Sequence, residues 1–196
     1  MIRDYNFFHR RYAQIEEEFL QILDFIEISD NFGDPCYKVS SSKLMDFCLK
    51  VGTEVETLFR LMLENSKFDG VTDISTKRNN QNIRVYREVI DSEYDLKDYK
   101  LKIKLIKKKI FPFENFDTST PEWFRIYSRH KHNKIELLNQ WNLKLSLYAL
   151  GSLLILVINH PSLDGKEFRA QKVSQRVFDL LGSKPKFCGI SLQVTI

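Results

Sequence analysis

The sequence predicts a mainly α-helical domain, a helical bundle that carries a small lysine-rich β-hairpin or strand as an insertion. Several segments repeat apolar residues every three or four positions, which is the spacing of one helix face. One short segment instead alternates lysine with leucine or isoleucine, the spacing of a strand with one wet face. A chain of 196 residues with 43% hydrophobic content, 7 glycines and 5 prolines fits one domain over residues 1–196.

Helices are predicted at three places in the first half of the chain. Apolar periodicity marks the first two, the serines at 40–42 offer N-caps to the second, and the third is a short helix after a polar loop. The three segments are residues 8–23, 40–66 and 84–94. Between them, "FIEI" at 25–28 is predicted to be briefly extended, and the polar residues 67–80 are predicted to form a loop.

The lysine-rich strand belongs to a basic insertion near residues 95–113. Lys100, Lys102 and Lys104 alternate with apolar residues, and Pro112 ends the strand or hairpin. Residues 97–109 hold seven lysines and one aspartate, a net charge of +6, whereas the whole chain carries +4. The positive charge is therefore concentrated here.

Two interpretations of this basic insertion stay open. The lysines fit a phosphate backbone through counterion release, and Tyr86, Tyr94 and Tyr99 lie among the charges, where they could stack on bases. Alternatively, the lysines protect the edge of a strand from unwanted pairing.

The second half of the chain is predicted to be helical up to a final strand. Pro121 opens a short helix, because Ser119 and Thr120 precede it and Glu122 lies near the positive end of the helix dipole. A long apolar helix over 136–159 follows, and its circumference is apolar in its second half. The C-terminal extension, residues 161–196, is predicted to hold an amphipathic helix at 166–181 and a strand at 190–196.

Several classes of function are not indicated by the sequence. Cys36, Cys48 and Cys188 form no CxxC pair, so neither a disulfide framework nor a structural zinc site is expected. Walker, dinucleotide and nucleophile-elbow motifs are missing from the sequence, and no cofactor is expected. The longest apolar run, at 145–158, has 14 residues, which is short for a membrane span. Without a visible secretory signal, a cytoplasmic protein with no membrane association is expected.

The stretch "WFRIYSRHKHNK", residues 123–134, holds the candidate site. At ~100° per residue on a helix, Arg125, Ser128, Arg129 and His132 fall on one polar stripe, and Trp123 and Tyr127 point to the opposite side. His130 points toward the apolar flank, and Lys131 precedes His132. His130, Lys131 and Ser128 are predicted to contact nucleic acid, together with the three alternating lysines.

Arginine and histidine on one face suit RNA cleavage without metal. A histidine can remove the 2′-OH proton or protonate the departing 5′-oxygen, because it titrates near neutrality. Guanidinium groups match the oxygens of the phosphate. A plain basic binding face is the alternative interpretation of the same residues.

The stretch resembles the HEPN superfamily of small helical domains, whose motif is Arg-x(4–6)-His on a helix followed by a long apolar helix. Both Arg125–His132 and Arg125–His130 fit that spacing. The chain is similar to one bacterial HEPN-like branch in four features. These are the aromatic pair at 123–124, Tyr127, the "KH" at 131–132 and the upstream helix that contains Glu54. The similarity runs over residues 36–158.

The resemblance implies a metal-independent endoribonuclease of a defence or toxin–antitoxin system, acting as a homodimer with a possible antitoxin or defence partner protein. His132 would be the acid/base and Arg125 the phosphate clamp, with Arg129 beside them. Active members commonly have a small polar residue after the arginine, whereas this chain has Ile126. Two alternatives are therefore a non-catalytic RNA- or nucleotide-binding domain and a helical protein-interaction subunit that uses the helix at 166–181.

Two further expectations concern contacts. Glu54 lies at the edge of its helix's apolar face, where a carboxylate seeks a cation, and Arg125 or Arg129 is the predicted partner; a solvated flank residue is the alternative. The helix at 136–159 must either lie at the centre of the bundle or be covered by a second subunit. From this helix we expect a homodimer with the cleft at its interface.

Overall fold

The protein is described by a computed structural model over residues 5–66, 83–130, 140–161 and 176–181. Its helices are α1 (Tyr5–Leu23), α2 (Ser42–Glu64), α3 (Ile83–Tyr86), α4 (Ser92–Tyr94), α5 (Glu122–His130) and α6 (Leu143–Ile158). A π-helical turn (Arg87–Asp91) joins α3 to α4, and 3-10 turns lie at Pro35–Lys38 and Leu96–Asp98. The strands are β1 (Lys100–Ile103), β2 (Lys109–Ile110) and β3 (Phe178–Leu181).

Helix α6 forms the centre of the fold. It begins after Asn142, whose side-chain oxygen accepts a hydrogen bond from the Leu145 backbone N–H at 3.0 Å. Every residue of α6 is buried except Lys144 and Tyr148, and α1, α2 and α5 all pack against it. Burial of one large aliphatic side chain contributes about 1.5–3 kcal/mol, so this helix supplies much of the driving force for folding.

The three strands form an antiparallel sheet in the order β2-β1-β3. Leu101 lies opposite Ile110 on one side and Leu180 on the other, so these three side chains share the face that packs on the core. At Gly151 of α6 an added Cβ would lie 2.9 Å from Leu101 Cδ1. The glycine therefore lets the sheet approach the central helix closely.

Helix α5 lies on α2 through an equally close approach. An added Cβ at Gly52 of α2 would lie 2.3 Å from the ring of Tyr127. The Tyr127 hydroxyl donates a hydrogen bond to Glu56 at 3.0 Å, which joins the two helices a second time. Because Tyr127 is fixed on α2, the opposite side of α5 faces solvent.

A buried carboxylate fixes where β3 begins. Glu16 of α1 is fully buried and accepts hydrogen bonds from the backbone N–H groups of Arg176 and Val177, at 2.9 and 3.0 Å. The Tyr12 hydroxyl also donates to it at 3.1 Å, and burial followed by this carboxylate raises the pKa of Tyr12. The chain is thereby held beside α1 just before it enters the sheet.

Most of the predicted elements are confirmed. The three early helices, the lysine-rich hairpin and the helix after Pro121 are present, and Ser41 caps α2 by accepting from the Leu44 N–H at 3.2 Å. Cys48 is core filler, as its spacing on the apolar face indicates, and burial raises the pKa of its thiol to about 12.

Three predictions about elements are wrong in the described residues. The amphipathic helix predicted at 166–181 is wrong at its C-terminal end, because residues 178–181 form β3. The hypothesis of a protein-interaction subunit therefore loses residues 178–181 from its contact helix. The apolar helix begins at Leu143 rather than at 136, since Asn142 caps it. The brief extension predicted for "FIEI" is absent at Phe25 and Ile26, which continue from α1 in a hydrogen-bonded turn. The loop at 67–80 and the strand at 190–196 lie outside the described residues.

The homodimer prediction loses its main premise. It assumed that the apolar helix needs a second subunit to cover it unless the helix lies centrally. Helix α6 does lie centrally, and its apolar residues are buried within one chain.

The close packing at Gly52 gives the first testable prediction. Gly52→Ala should lower the free energy of unfolding by about 1–3 kcal/mol through overpacking, although alanine favours a helix by about 1 kcal/mol. In a Tyr127→Ala background the ring is absent, and the same substitution should be neutral or stabilising. Denaturant unfolding of the four proteins measures this coupling, and simple additivity of the two changes would show that the contact does not constrain α5.

Candidate nucleic-acid interface

Helix α5 presents a short basic stripe to solvent. The N–H groups of Phe124 and Arg125 both donate to the Pro121 carbonyl at 3.0 Å, so the helix starts directly after the proline. Arg125 and Arg129 are exposed and Ser128 is half-buried. The other side of the helix is buried through Trp123, Phe124, Ile126, Tyr127 and His130.

The two arginines of this stripe form no ion pair in the part of the chain that the structure describes. Residues four apart on a helix have Cβ atoms about 5–6 Å apart, so the two guanidinium groups can reach one phosphate or two adjacent phosphates. Within the described residues, neither Arg125 nor Arg129 forms an ion pair with a carboxylate. Two like charges side by side on an exposed helix favour an anion between them.

His130 does not belong to this stripe. Its ring is fully buried, and its Nδ1 accepts a hydrogen bond from the Trp141 indole N–H at 3.1 Å. The bond ties the end of α5 to the start of α6, and an accepting Nδ1 indicates a ring that carries its proton on Nε2. The prediction that His130 contacts nucleic acid is therefore wrong, because a ring at this depth does not reach the surface.

Glu54 is also paired elsewhere. Its carboxylate accepts from Nε of Arg11 at 2.8 Å, so its cation lies on α1 and is neither Arg125 nor Arg129. Glu56, which the periodicity directs away from the apolar face, accepts a hydrogen bond from Tyr127 and forms an ion pair with Arg60.

His132 and Lys131, two further residues of the predicted site, lie outside the described residues.

The solvent face of the sheet carries the alternating lysines. Lys100 and Lys104 are exposed, and Lys102 is half-buried between Lys109 on β2 and Asp179 on β3. Asp179 forms an ion pair with Lys104 at 3.3 Å. Lys102 thus lies opposite a like charge, Lys109, on one side and opposite the Asp179 carboxylate on the other.

The edge-protection interpretation does not explain these lysines. Strand β1 is the central strand of the described sheet, with β2 and β3 on its two sides. A lysine that guards an edge is needed on an outer strand. The lysines of β1 therefore need another explanation.

The tyrosines predicted to stack on bases are not available. Tyr86, Tyr94 and Tyr99 are buried, and the Tyr99 hydroxyl donates to Asn159 Oδ1 at 2.7 Å. Tyr86 stacks on Phe59 with 5.1 Å between ring centroids. Their closeness in sequence to charged residues suggested exposed rings, but the three side chains face the core.

Three other rings lie beside lysines, and we call the set the lysine–aromatic strip. Lys100 Nζ lies 5.8 Å from the Phe111 ring, Lys144 Nζ lies 6.0 Å from Tyr148, and Lys108 Nζ lies 5.6 Å from Phe32. Phe32 and Tyr148 are 6.4 Å apart between centroids. All three rings are half-buried, so each keeps some surface open.

A cavity of 230 Å³ opens between two of these rings. It lies where α5 and α6 begin, and Phe111 and Tyr148 both line it. Burial and, secondarily, the nearby Glu114 carboxylate raise the pKa of the Tyr148 phenol. The full lining is Phe111, Pro112, Glu114, Pro121, Glu122, Trp123, Lys144, Leu145 and Tyr148.

Sequence reasoning missed this cavity and the strip. Phe111 and Lys144 are far apart in the chain, and no motif joins them. The available signal was weak: Lys144 and Tyr148 are four residues apart, which places them on one face of a helix.

Neither a metal-binding cluster nor a membrane-spanning helix is present in the described ranges. No group of three or more histidine, cysteine, aspartate or glutamate side chains there is arranged to hold a metal ion. None of the helices in those ranges has both the length and the apolar character needed to cross a bilayer.

Comparison of the chain with protein-family models, with curated proteins and with solved structures finds no match. The resemblance to the HEPN superfamily therefore rests on the motif residues themselves.

Proposed function

We propose that the protein binds RNA through the basic stripe of α5 and the lysine-bearing face of the sheet. The observation that carries the proposal is the pair of exposed guanidinium groups, Arg125 and Arg129, which no carboxylate of the described residues neutralises. Guanidinium matches phosphate oxygens with a planar fork of donors, so this pair suits a phosphodiester backbone better than scattered lysines would.

The sheet supports the same proposal. Lys102 and Lys109 face each other across β1 and β2 with like charge, and Lys100 lies two residues from Lys102 on the same face. A polyanion lowers the repulsion between such groups and releases counterions when it binds. Each of these cations would add affinity without adding sequence preference.

Removal of the two arginines tests this proposal. Arg125→Ala/Arg129→Ala should weaken binding to single-stranded RNA and make the log–log salt dependence shallower by up to about 1.4, or about 0.7 per lost phosphate contact. Fluorescence anisotropy with a labelled oligonucleotide, titrated from low to moderate salt, measures both quantities.

The matched control removes the same charge elsewhere. Arg10 is exposed and bonds a carbonyl of its own helix, and Arg84 pairs with Glu88 on its own segment. Arg10→Ala/Arg84→Ala should keep the wild-type salt slope. Equal losses in the two double variants would mean that net charge alone drives binding, and the stripe would lose its role.

A second candidate function, metal-independent RNA cleavage, rests on the Arg-x(4–6)-His motif. His130 is buried against Trp141, so the catalytic histidine of the motif would have to be His132, which lies outside the described residues. In the resemblance to HEPN ribonucleases, His132 is the acid/base and Arg125 the phosphate clamp, with Arg129 as a second donor. The 2′-oxygen attacks the phosphate, the 5′-oxygen leaves with a proton, and a 2′,3′-cyclic phosphate forms.

The cleavage hypothesis is tested at His132. His132→Ala should abolish cleavage and leave the melting temperature unchanged, while wild-type protein should cut RNA in the presence of EDTA. A histidine on α1, His9, serves as control, and His9→Ala should cleave at the wild-type rate. Cyclic-phosphate ends are identified by mass spectrometry; chelator-sensitive cleavage, or an active His132→Ala, would remove this mechanism.

The cleavage hypothesis includes a homodimer, because HEPN-type cleavage uses residues from two protomers. It also includes a possible antitoxin or defence partner protein. Because α6 is covered within one chain, such a dimer would have to use another surface. The exposed stripe of α5 is our candidate for that surface.

A further inference from the structure

We propose that the cavity between Phe111 and Tyr148 holds one unpaired base of a single-stranded RNA. This inference rests on the proposed RNA binding and specifies its substrate: single strands with an amino-bearing base at this position. It adds a base contact to the phosphate contacts of α5 and the sheet.

The first argument is the pairing of rings with cations. Phe111 and Tyr148 line the same cavity, and each has a lysine ammonium within 6.0 Å of its ring centre. Each ammonium lies over its ring, so a base that stacks on that face takes the place of the ammonium, and the displaced lysine can then reach a phosphate that flanks the base. Proteins that bind single strands combine aromatic platforms with cations in this way.

The second argument is size. Sites for drug-sized ligands and cofactors usually have roughly 300–1,000 Å³, and this cavity has 230 Å³. A single planar ring system is therefore a better fit than a whole nucleotide cofactor. Duplex RNA does not fit the proposal, because its bases are stacked and are not free to enter a cavity.

The third argument concerns which base is preferred. Glu114 and Glu122 line the cavity, and their carboxylates can only accept hydrogen bonds when ionised. Adenine, cytosine and guanine carry an exocyclic amino group with two N–H donors for the carboxylates, whereas uracil offers only its single ring N3–H. The cavity should therefore favour amino-bearing bases over uracil.

The fourth argument is continuity with the basic stripe. Glu122 at the cavity and Arg125 and Arg129 on the stripe are spaced by three and four residues, so all three lie on one exposed face of α5. On the other side, Tyr148 neighbours Phe32, which carries Lys108. A single strand can pass from the arginines, across the two rings of the cavity, to a third ring, Phe32.

The test compares single-ring variants on homopolymeric oligonucleotides. Phe111→Ala and Tyr148→Ala should each weaken binding to single-stranded oligo(A) at least about five-fold, the loss expected for one stacked base. Tyr148→Leu keeps apolar volume without an aromatic face, and it replaces Tyr148→Ala if that variant does not fold. Wild-type protein should bind oligo(A) and oligo(C) more tightly than oligo(U), and Glu114→Ala/Glu122→Ala should remove that preference.

The control is another phenylalanine that carries a lysine. Phe25 is 82% exposed, Lys43 Nζ lies 5.6 Å from its ring centre, and it does not line the cavity. Phe25→Ala should bind oligo(A) like the wild type. If wild-type protein binds RNA but the two cavity variants bind as well as Phe25→Ala, the base site is refuted while the proposed function stands. If wild-type protein binds no RNA, both are refuted.

Discussion

The contact between Tyr127 and Gly52 decides which side of α5 reaches solvent. With the Tyr127 ring where the Cβ of any other residue at 52 would lie, and its hydroxyl bonded to Glu56, the helix has little freedom to rotate. The His130–Trp141 bond fixes its other end against the start of α6. Arg125 and Arg129 are therefore directed outward by the packing of their neighbours, and the candidate interface depends on that packing.

Ion pairs are frequent on α1 and α2. Arg11 pairs with Glu54, Lys50 with Glu18 and Arg60 with Glu56, and Glu17 of α1 pairs with Arg176, whereas Arg10 and Lys43 form no ion pair within the described residues. On α5 and β1, Arg125, Arg129, Lys100 and Lys102 pair with no carboxylate of the described residues. A net charge of +4 is small for the whole chain, so the proposed RNA binding depends on the local excess of positive charge rather than on the total charge.

Periodicity predicted what depends on local sequence. The stripe of α5 and the alternation of Lys100 to Lys104 are both visible in the sequence, because helix and strand geometry alone sets them. Long-range pairing was not visible. Residues 178–181 form a strand that follows the Glu16 anchor on α1, and Glu54 pairs with Arg11 across two helices. Nearness in sequence to lysines likewise did not reveal that Tyr86, Tyr94 and Tyr99 face the core.

The central claim is that the stripe of α5, the cavity and the lysine-bearing sheet form one RNA-binding face. Photo-crosslinking tests it most directly: wild-type protein is irradiated with a short single-stranded RNA that carries photoreactive bases, and the linked residues are identified by mass spectrometry. Crosslinks should concentrate at 100–104, 109–114, 121–129 and 144–148. Crosslinks confined to α1 and α2, with none at the sheet, the cavity or α5, would contradict the account.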